Sequence, residues 1–166
     1  MSQSPHVLIS MGSHHSPKMP QQDYKNIIVN YNIGMGASSD AAFFNQSILE
    51  NRSSENPPSI YGFFSGKTSF TNRDSMQSVV SFFDKSPLID IVICDFVVKQ
   101  NGFDSYLYSH PQSLDDIPFF VHQRAIHHII FSEDPFVFQA QLERMRSKNC
   151  PLFHIAEPLL TLDKSI

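Results

Sequence analysis

The residues of this 166-residue chain that could do chemistry are scattered, and few are grouped at a diagnostic spacing. Phe64-Ser65-Gly66-Lys67 closes an apolar run, Ser59-Ile-Tyr-Gly-Phe-Phe-Ser65, so Lys67 would stand just beyond a strand tip. A lysine there either neutralises a phosphate directly, as a compact cation, or is simply solvated. Glu133 and Asp134 open a helical pattern with Pro135 in its first turn. Carboxylates at that position favour the helix dipole. Eight histidines raise the question of a metal. His122 and His127 do not share a helical face, and no third ligand follows His122 and His128 at a recognisable spacing. His14-His15 lie in a polar loop, so no metal site is expected. Gly12-Ser13-His14 and Ser65-Gly66 do not form a Gly-x-Ser-x-Gly nucleophile turn. Gly34-Met-Gly36-Ala falls short of a dinucleotide fingerprint, and there is no Gly-x-x-x-x-Gly-Lys-Ser loop.

The elements that must position these groups follow from periodicity. His6-Val-Leu-Ile-Ser10 reads as a buried strand ended by Met11-Gly12-Ser13, and residues 13 to 25 as a loop with two prolines. Asn26 to Tyr31 is a second strand, after which Gly34 and Gly36 permit a tight turn. Ser38, Ser39 and Asp40 cap a helix over about 39 to 50, with Ala41, Phe44 and Ile48 inward. Strand 59 to 65 follows. Thr71 and Asp74 resemble a capping box for a helix over 72 to 84, with Met76, Val79, Val80 and Phe83 on one side. Ile89 to Val98 is the longest strand, and Asp104 to Tyr108 alternates like an edge or hairpin strand. A helix over 134 to 148, a short strand over 151 to 155 and an irregular tail complete the chain. Alternating strands and helices in the first 95 residues predict an α/β fold with a mainly parallel sheet.

Bulk properties narrow the class. The length suits a single domain. A net charge of -4, with no basic run, argues against a nucleic-acid partner. Fifteen phenylalanines and no tryptophan predict a phenylalanine-rich core, to which Phe63, Phe64, Phe82 and Phe83 belong. No segment reaches the roughly 18 apolar residues of a membrane span, and Met1-Ser-Gln-Ser-Pro-His lacks a secretion signal's pattern. Cys94 and Cys150 have no paired spacing, so reduced thiols and a cytoplasmic location are expected.

The order of motifs resembles a family 2 glycosyltransferase of the GT-A type, from the bacterial polysaccharide-synthesis branch. Ile9-Ser10-Met11-Gly12-Ser13 occupies the place of that family's strand ending in Asp-Asp-Gly-Ser. Asn32-Ile-Gly34 and Asn45-Gln-Ser-Ile48 match its Asn-x-Gly turn and the helix that follows. Asp90-Ile-Val-Ile-Cys-Asp95 matches a strand reading Asp-Val-Val-Tyr-Gly-Asp. Phe119-Phe-Val-His122-Gln123, Glu133-Asp134 and Ile155-Ala-Glu157-Pro158-Leu159 match later segments, so the likeness spans about residues 6 to 162. Ser10 and Met11 replace nucleotide-contacting acids, and Ser65 and Lys67 replace the two acids of Asp-x-Asp. The family's first strand has no counterpart ahead of His6, as if the chain were truncated there.

The resemblance implies a three-layer, Rossmann-like GT-A sandwich in one domain, residues 1–166. A nucleotide-sugar-binding half would cover 6–98 and an acceptor-side half 99–166. It implies a transferase that moves a sugar from a nucleotide-sugar donor in surface polysaccharide synthesis. Ser10, Asn32, Gly34, Asn45, Ser65 and Lys67 would hold the nucleotide. Asp134 or the neighbouring Glu133 would take the acceptor's proton, and His122 would touch the acceptor. A divalent cation, manganese or magnesium, would be needed only if the protein turns over. The lost acids equally fit a degenerate module that binds a glycan or protein partner without turnover. An exposed sheet edge could be covered by a partner or by a second copy of the chain.

Overall fold

The computed structural model describes residues 6–11, 27–32, 37–65, 68–72, 74–107, 118–131 and 138–163. The elements are β1 (His6–Met11), β2 (Ile27–Asn32), α1 (Ala37–Arg52), β3 (Ile60–Ser65), β4 (Thr68–Phe70), α2 (Ser75–Lys85), β5 (Ile91–Gln100), β6 (Phe103–Leu107), β7 (Phe119–His122), a 3-10 segment (Gln123–His128), α3 (Phe138–Ser147) and β8 (Leu152–Asp163). The strands form one sheet in the order β2-β1-β3-β7-β5-β8-β4, with β6 paired to β5. β1–β2, β1–β3 and β5–β8 are parallel. β3–β7, β5–β7, β4–β8 and β5–β6 are antiparallel. The sheet is therefore mixed, which corrects the expectation of a mainly parallel one. The strand–helix alternation behind that expectation stops at β5, and the strands after it include a hairpin and a reversed insertion.

Two neighbouring phenylalanines set the layers. Successive strand residues point to opposite faces, and both Phe63 and Phe64 are fully buried. The Phe63 ring lies 6.0 Å from Phe44 of α1, 5.3 Å from Phe131 and 5.0 Å from Phe119. Phe64 instead meets Phe70 at 5.6 Å and Phe120 at 5.7 Å. His122 belongs to the Phe120 face by alternation, and its ring lies 5.7 Å from Phe83 of α2. Phe153 of β8 stacks on Phe82 of α2 at 4.5 Å. Helices α1 and α2 thus cover opposite faces of the sheet, giving three layers.

Local chemistry explains the boundaries. Ala41, Phe44 and Ile48 bury the inner stripe of α1, and Met76, Val79 and Phe83 that of α2. The capping box expected at Thr71 and Asp74 does not form. Thr71 is drawn to β8, where its N–H donates to Leu159 O at 2.9 Å and its hydroxyl meets that of Thr161 at 3.2 Å. Asn72 Oδ1 accepts from the Asp74 N–H at 2.9 Å instead, and α2 begins at Ser75. β5 turns into β6 through Asn101 and Gly102, both at positive φ (50° and 88°). With Gln100 opposite Phe103, this is the Asn-Gly two-residue hairpin whose twist suits flanking strands.

Two further expectations are corrected. The predicted irregular tail is strand: β8 runs on through Pro158, which fits there because a bulge interrupts the β5 ladder at Asp95. β1 is hydrogen-bonded on both sides, to β2 and to β3, so no vacancy for a lost strand lies between them. Among the described residues no helix is long and apolar enough to cross a membrane.

Candidate functional site

The carboxyl ends of three adjacent parallel strands converge. Met11 of β1 pairs with Asn32 of β2 on one side and Ser65 of β3 on the other. Ser10, one residue earlier, pairs with Tyr31 and Phe64. Asn32 and Ser65 are therefore brought into one row by register alone, with Ser10 in the row before it. Open α/β sheets bind ligands beyond the carboxyl ends of their strands, and α1 begins at Ala37, shortly after Asn32. Gly34, Lys67 and Asp134 lie outside the described residues.

Asn45 has a partner within the chain. Its Nδ2 donates to Phe131 O at 2.8 Å, and its Oδ1 accepts the Phe131 N–H at 2.8 Å. The side-chain amide thus imitates a strand partner and fastens the residue after the 3-10 segment onto α1. The two bonds position Phe131, whose ring packs on Phe44 and Phe63.

The same level of the sheet carries a group that sequence reasoning did not single out as functional. Gly62, Phe120 and Val92 form one row across β3, β7 and β5. Ser65 and Asp95 each lie three residues further along, so they stand level on strands flanking β7. Two strand spacings separate them by about 10 Å. Asp95 is fully buried. Its Oδ2 accepts the Tyr106 hydroxyl at 2.6 Å, and its Oδ1 meets His154 Nε2 at 2.5 Å. A buried carboxylate requires such donors. Row pairing puts Ile91 beside Val121 and Tyr61, and His154 beside Ile93, so this group lies on the α1 face, as Phe63 does. The signals were present: Asp95 ends the Asp90–Asp95 motif, and Tyr106 and His154 sit at strand-periodic positions. Their convergence on Asp95 needs the pairing of β5 with both β6 and β8, which spacing along the chain does not reveal.

His122, expected to touch the acceptor, lies apart from this group. It pairs with Ile60, at the opposite end of β3 from Ser65. There its Nδ1 accepts the Arg124 N–H at 3.3 Å and caps the 3-10 segment. Nearby, Ser59 Oγ lies 3.1 Å from His6 Nδ1, and Arg124 Nε donates to Asp90 Oδ1 at 2.7 Å. Burial holds the pKa of His6 below its ordinary 6.5, reinforced by His122 and partly opposed by Asp84. Burial and then Arg124 lower that of His122, with Asp90 and Asp84 opposing. Both rings are kept neutral by folding, whereas the unfolded chain takes up protons near the ordinary value. Stability is therefore expected to fall as pH drops from about 7.5 to about 5.5. Urea midpoints across that range would show it, with a shallower slope in a His6→Gln, His122→Gln double variant. A flat wild-type profile would contradict it.

The cation that the family resemblance implies is poorly served here. Ser65 and Lys67 stand where two acids would hold it. Among the described residues, no group of three or more His, Cys, Asp or Glu side chains could hold a metal ion. The described residues do not fit that cation. Cys94 is no nucleophile either, because burial, with Asp95 adjacent, pushes its thiol far up.

Comparison with protein families and with curated proteins gives no match. Among solved structures, the chain is similar to a glycosyltransferase involved in glycosylation of the major capsid of PBCV-1. The identity is 10% and the TM-score 0.46, over 95% of this chain and 92% of that one. It is also similar to CMP:2-keto-3-deoxy-manno-octonic acid synthetase complexed with CTP, at 11% identity and a TM-score of 0.40, over 93% and 91% of the two chains. At this level of likeness, the functional reading rests on the chain's own residues.

Proposed function

We propose that this chain is a sugar-nucleotide transferase domain related to family 2 glycosyltransferases, acting on a nucleotide-activated sugar in bacterial surface polysaccharide synthesis. The observation that carries the reading is the single row Asn32–Met11–Ser65 at the carboxyl ends of three parallel strands, with Asp95 level beyond β7. The nucleotide would lie over β2, β1 and β3, with Lys67 as the cation facing its phosphates. The sugar would extend toward β5. Two buried free cysteines, Cys94 and Cys150, suit a cytoplasmic setting.

A second reading has its own observation. Serine and lysine stand in place of Asp-x-Asp, which favours a module that binds a sugar nucleotide or glycan without turnover, alone or against a partner at the outer edge of β2. Titration calorimetry with a panel of nucleoside diphosphates, with manganese and with chelator, tests both. We expect binding that manganese leaves unchanged and that Lys67→Ala weakens about tenfold. Absence of heat across the panel from folded protein would remove both nucleotide readings. Binding enhanced strongly by manganese would show that a cation site does exist.

A further inference from the structure

We propose that His154, oriented by Asp95, is the general base that takes the proton from the acceptor hydroxyl; this rests on the sugar-nucleotide reading above. A carboxylate accepts and has no hydrogen to give, so the hydrogen between Asp95 Oδ1 and His154 must come from Nε2. In the neutral ring this is the Nε2–H tautomer, which leaves the Nδ1 lone pair, without a partner among the described residues, directed elsewhere. The two ends of the pair are differently exposed: the Asp95 side chain is fully buried, while the His154 side chain is 34% exposed. A buried acid that holds a partly exposed imidazole in one tautomer is the arrangement by which a histidine is made a directed base. Tyr106 occupies the other carboxylate oxygen and stops the acid from rotating away.

Placement agrees with the chemistry. Asp95 is level with the Ser65 tip and about 10 Å across the sheet from it, and a bulge in the β5–β8 ladder falls at Asp95, where such bulges re-aim side chains. A nucleotide over β1–β3 would leave its sugar pointing toward β5 and an acceptor between the sugar and His154. In the step, the acceptor oxygen bonds to the anomeric carbon as its proton passes to His154 Nδ1. The bond from that carbon to the diphosphate oxygen breaks, and the electron pair leaves with the nucleoside diphosphate. No co-reactant beyond donor and acceptor is required. His154 is the catalytic residue in this scheme, and Asp95 a positioning residue.

Two measurements decide it. Long-range 1H–15N spectra of the folded protein should show the neutral His154 ring protonated at Nε2. In Asp95→Asn the population should move to the Nδ1–H form, because the amide can donate. A wild-type ring protonated at Nδ1, or no change in Asp95→Asn, would overturn the proposal. Release of nucleoside diphosphate from a panel of nucleotide-sugars should fall about 10²- to 10³-fold in kcat for His154→Gln, with nucleotide affinity unchanged. Undiminished turnover in His154→Gln, loss confined to Asp134→Asn, or nucleotide binding without any turnover in the wild type would each sink the base assignment alone. Failure of every nucleotide to bind would instead sink the reading on which it rests.

Discussion

Replacing Phe63 with alanine is expected to destabilise the fold by about 3–5 kcal/mol. The ring is fully buried and meets aromatic rings from three other parts of the chain: Phe44 of α1, Phe119 of β7, and Phe131 beyond the 3-10 segment. Removing it forfeits the transfer of a whole benzyl group from water and leaves a cavity that three anchored neighbours cannot close. For a chain of this size, each kcal/mol moves the melting temperature by roughly 2–4 °C, so a fall on the order of 10 °C should appear in calorimetry. Leu88→Ala makes the control, because that side chain is 82% exposed, and surface changes of this kind stay within about 0.5 kcal/mol. A Phe63→Ala loss no greater than the control would mean that the α1 face is not packed as described.

The next largest effect is expected at Asn45. Asn45→Ala removes two hydrogen bonds to the Phe131 main chain at once. Leaving a fully buried donor or acceptor unsatisfied costs about 1–3 kcal/mol; the two groups here are only partly buried, which lowers the sum to about 2–4 kcal/mol. Asn45→Asp separates hydrogen bonding from shape: it keeps the acceptor for the Phe131 N–H but sets a carboxylate oxygen against the Phe131 carbonyl. It should therefore recover less than half of the loss. If Asn45→Ala melts with the wild type while losing nucleotide affinity, the side chain serves a ligand and the structural tie is incidental.

These two residues also show how much of the molecule could be read from its sequence. Phe44, Phe63 and Asn45 were placed on the right elements, because period 3.6 and period 2 are set by local burial. The carboxyl-end cluster was legible for the same reason, since Ser10, Asn32 and Ser65 each end an apolar run. Hidden were β4 and β7, strands of three and four residues, too short for any periodicity to declare. β7, with the antiparallel pairs β4–β8 and β5–β6, makes the sheet mixed, and it sets His122 opposite Ile60. The capping box at Thr71 failed because a hydrogen bond to β8, ninety residues away, competes with the local one. Asp95 was noticed as a motif ending, yet its neighbours His154 and Tyr106 arrive through pairings of distant segments. Local chemistry fixed the elements, and long-range pairing decided which side chains meet.

That dependence on distant partners has a consequence for how the protein is made. β8 supplies the ladder for β5 and also for β4, through Thr68–Leu162, Ser69–Thr161 and Phe70–Leu160. On the ribosome, β4 is complete long before its partner exists, and it must wait through the synthesis of about ninety more residues at roughly 5–20 per second. The nascent chain therefore spends several seconds with β4 and one side of β5 uncovered, an interval in which a chaperone or a neighbouring nascent chain would find an unpaired, largely apolar strand.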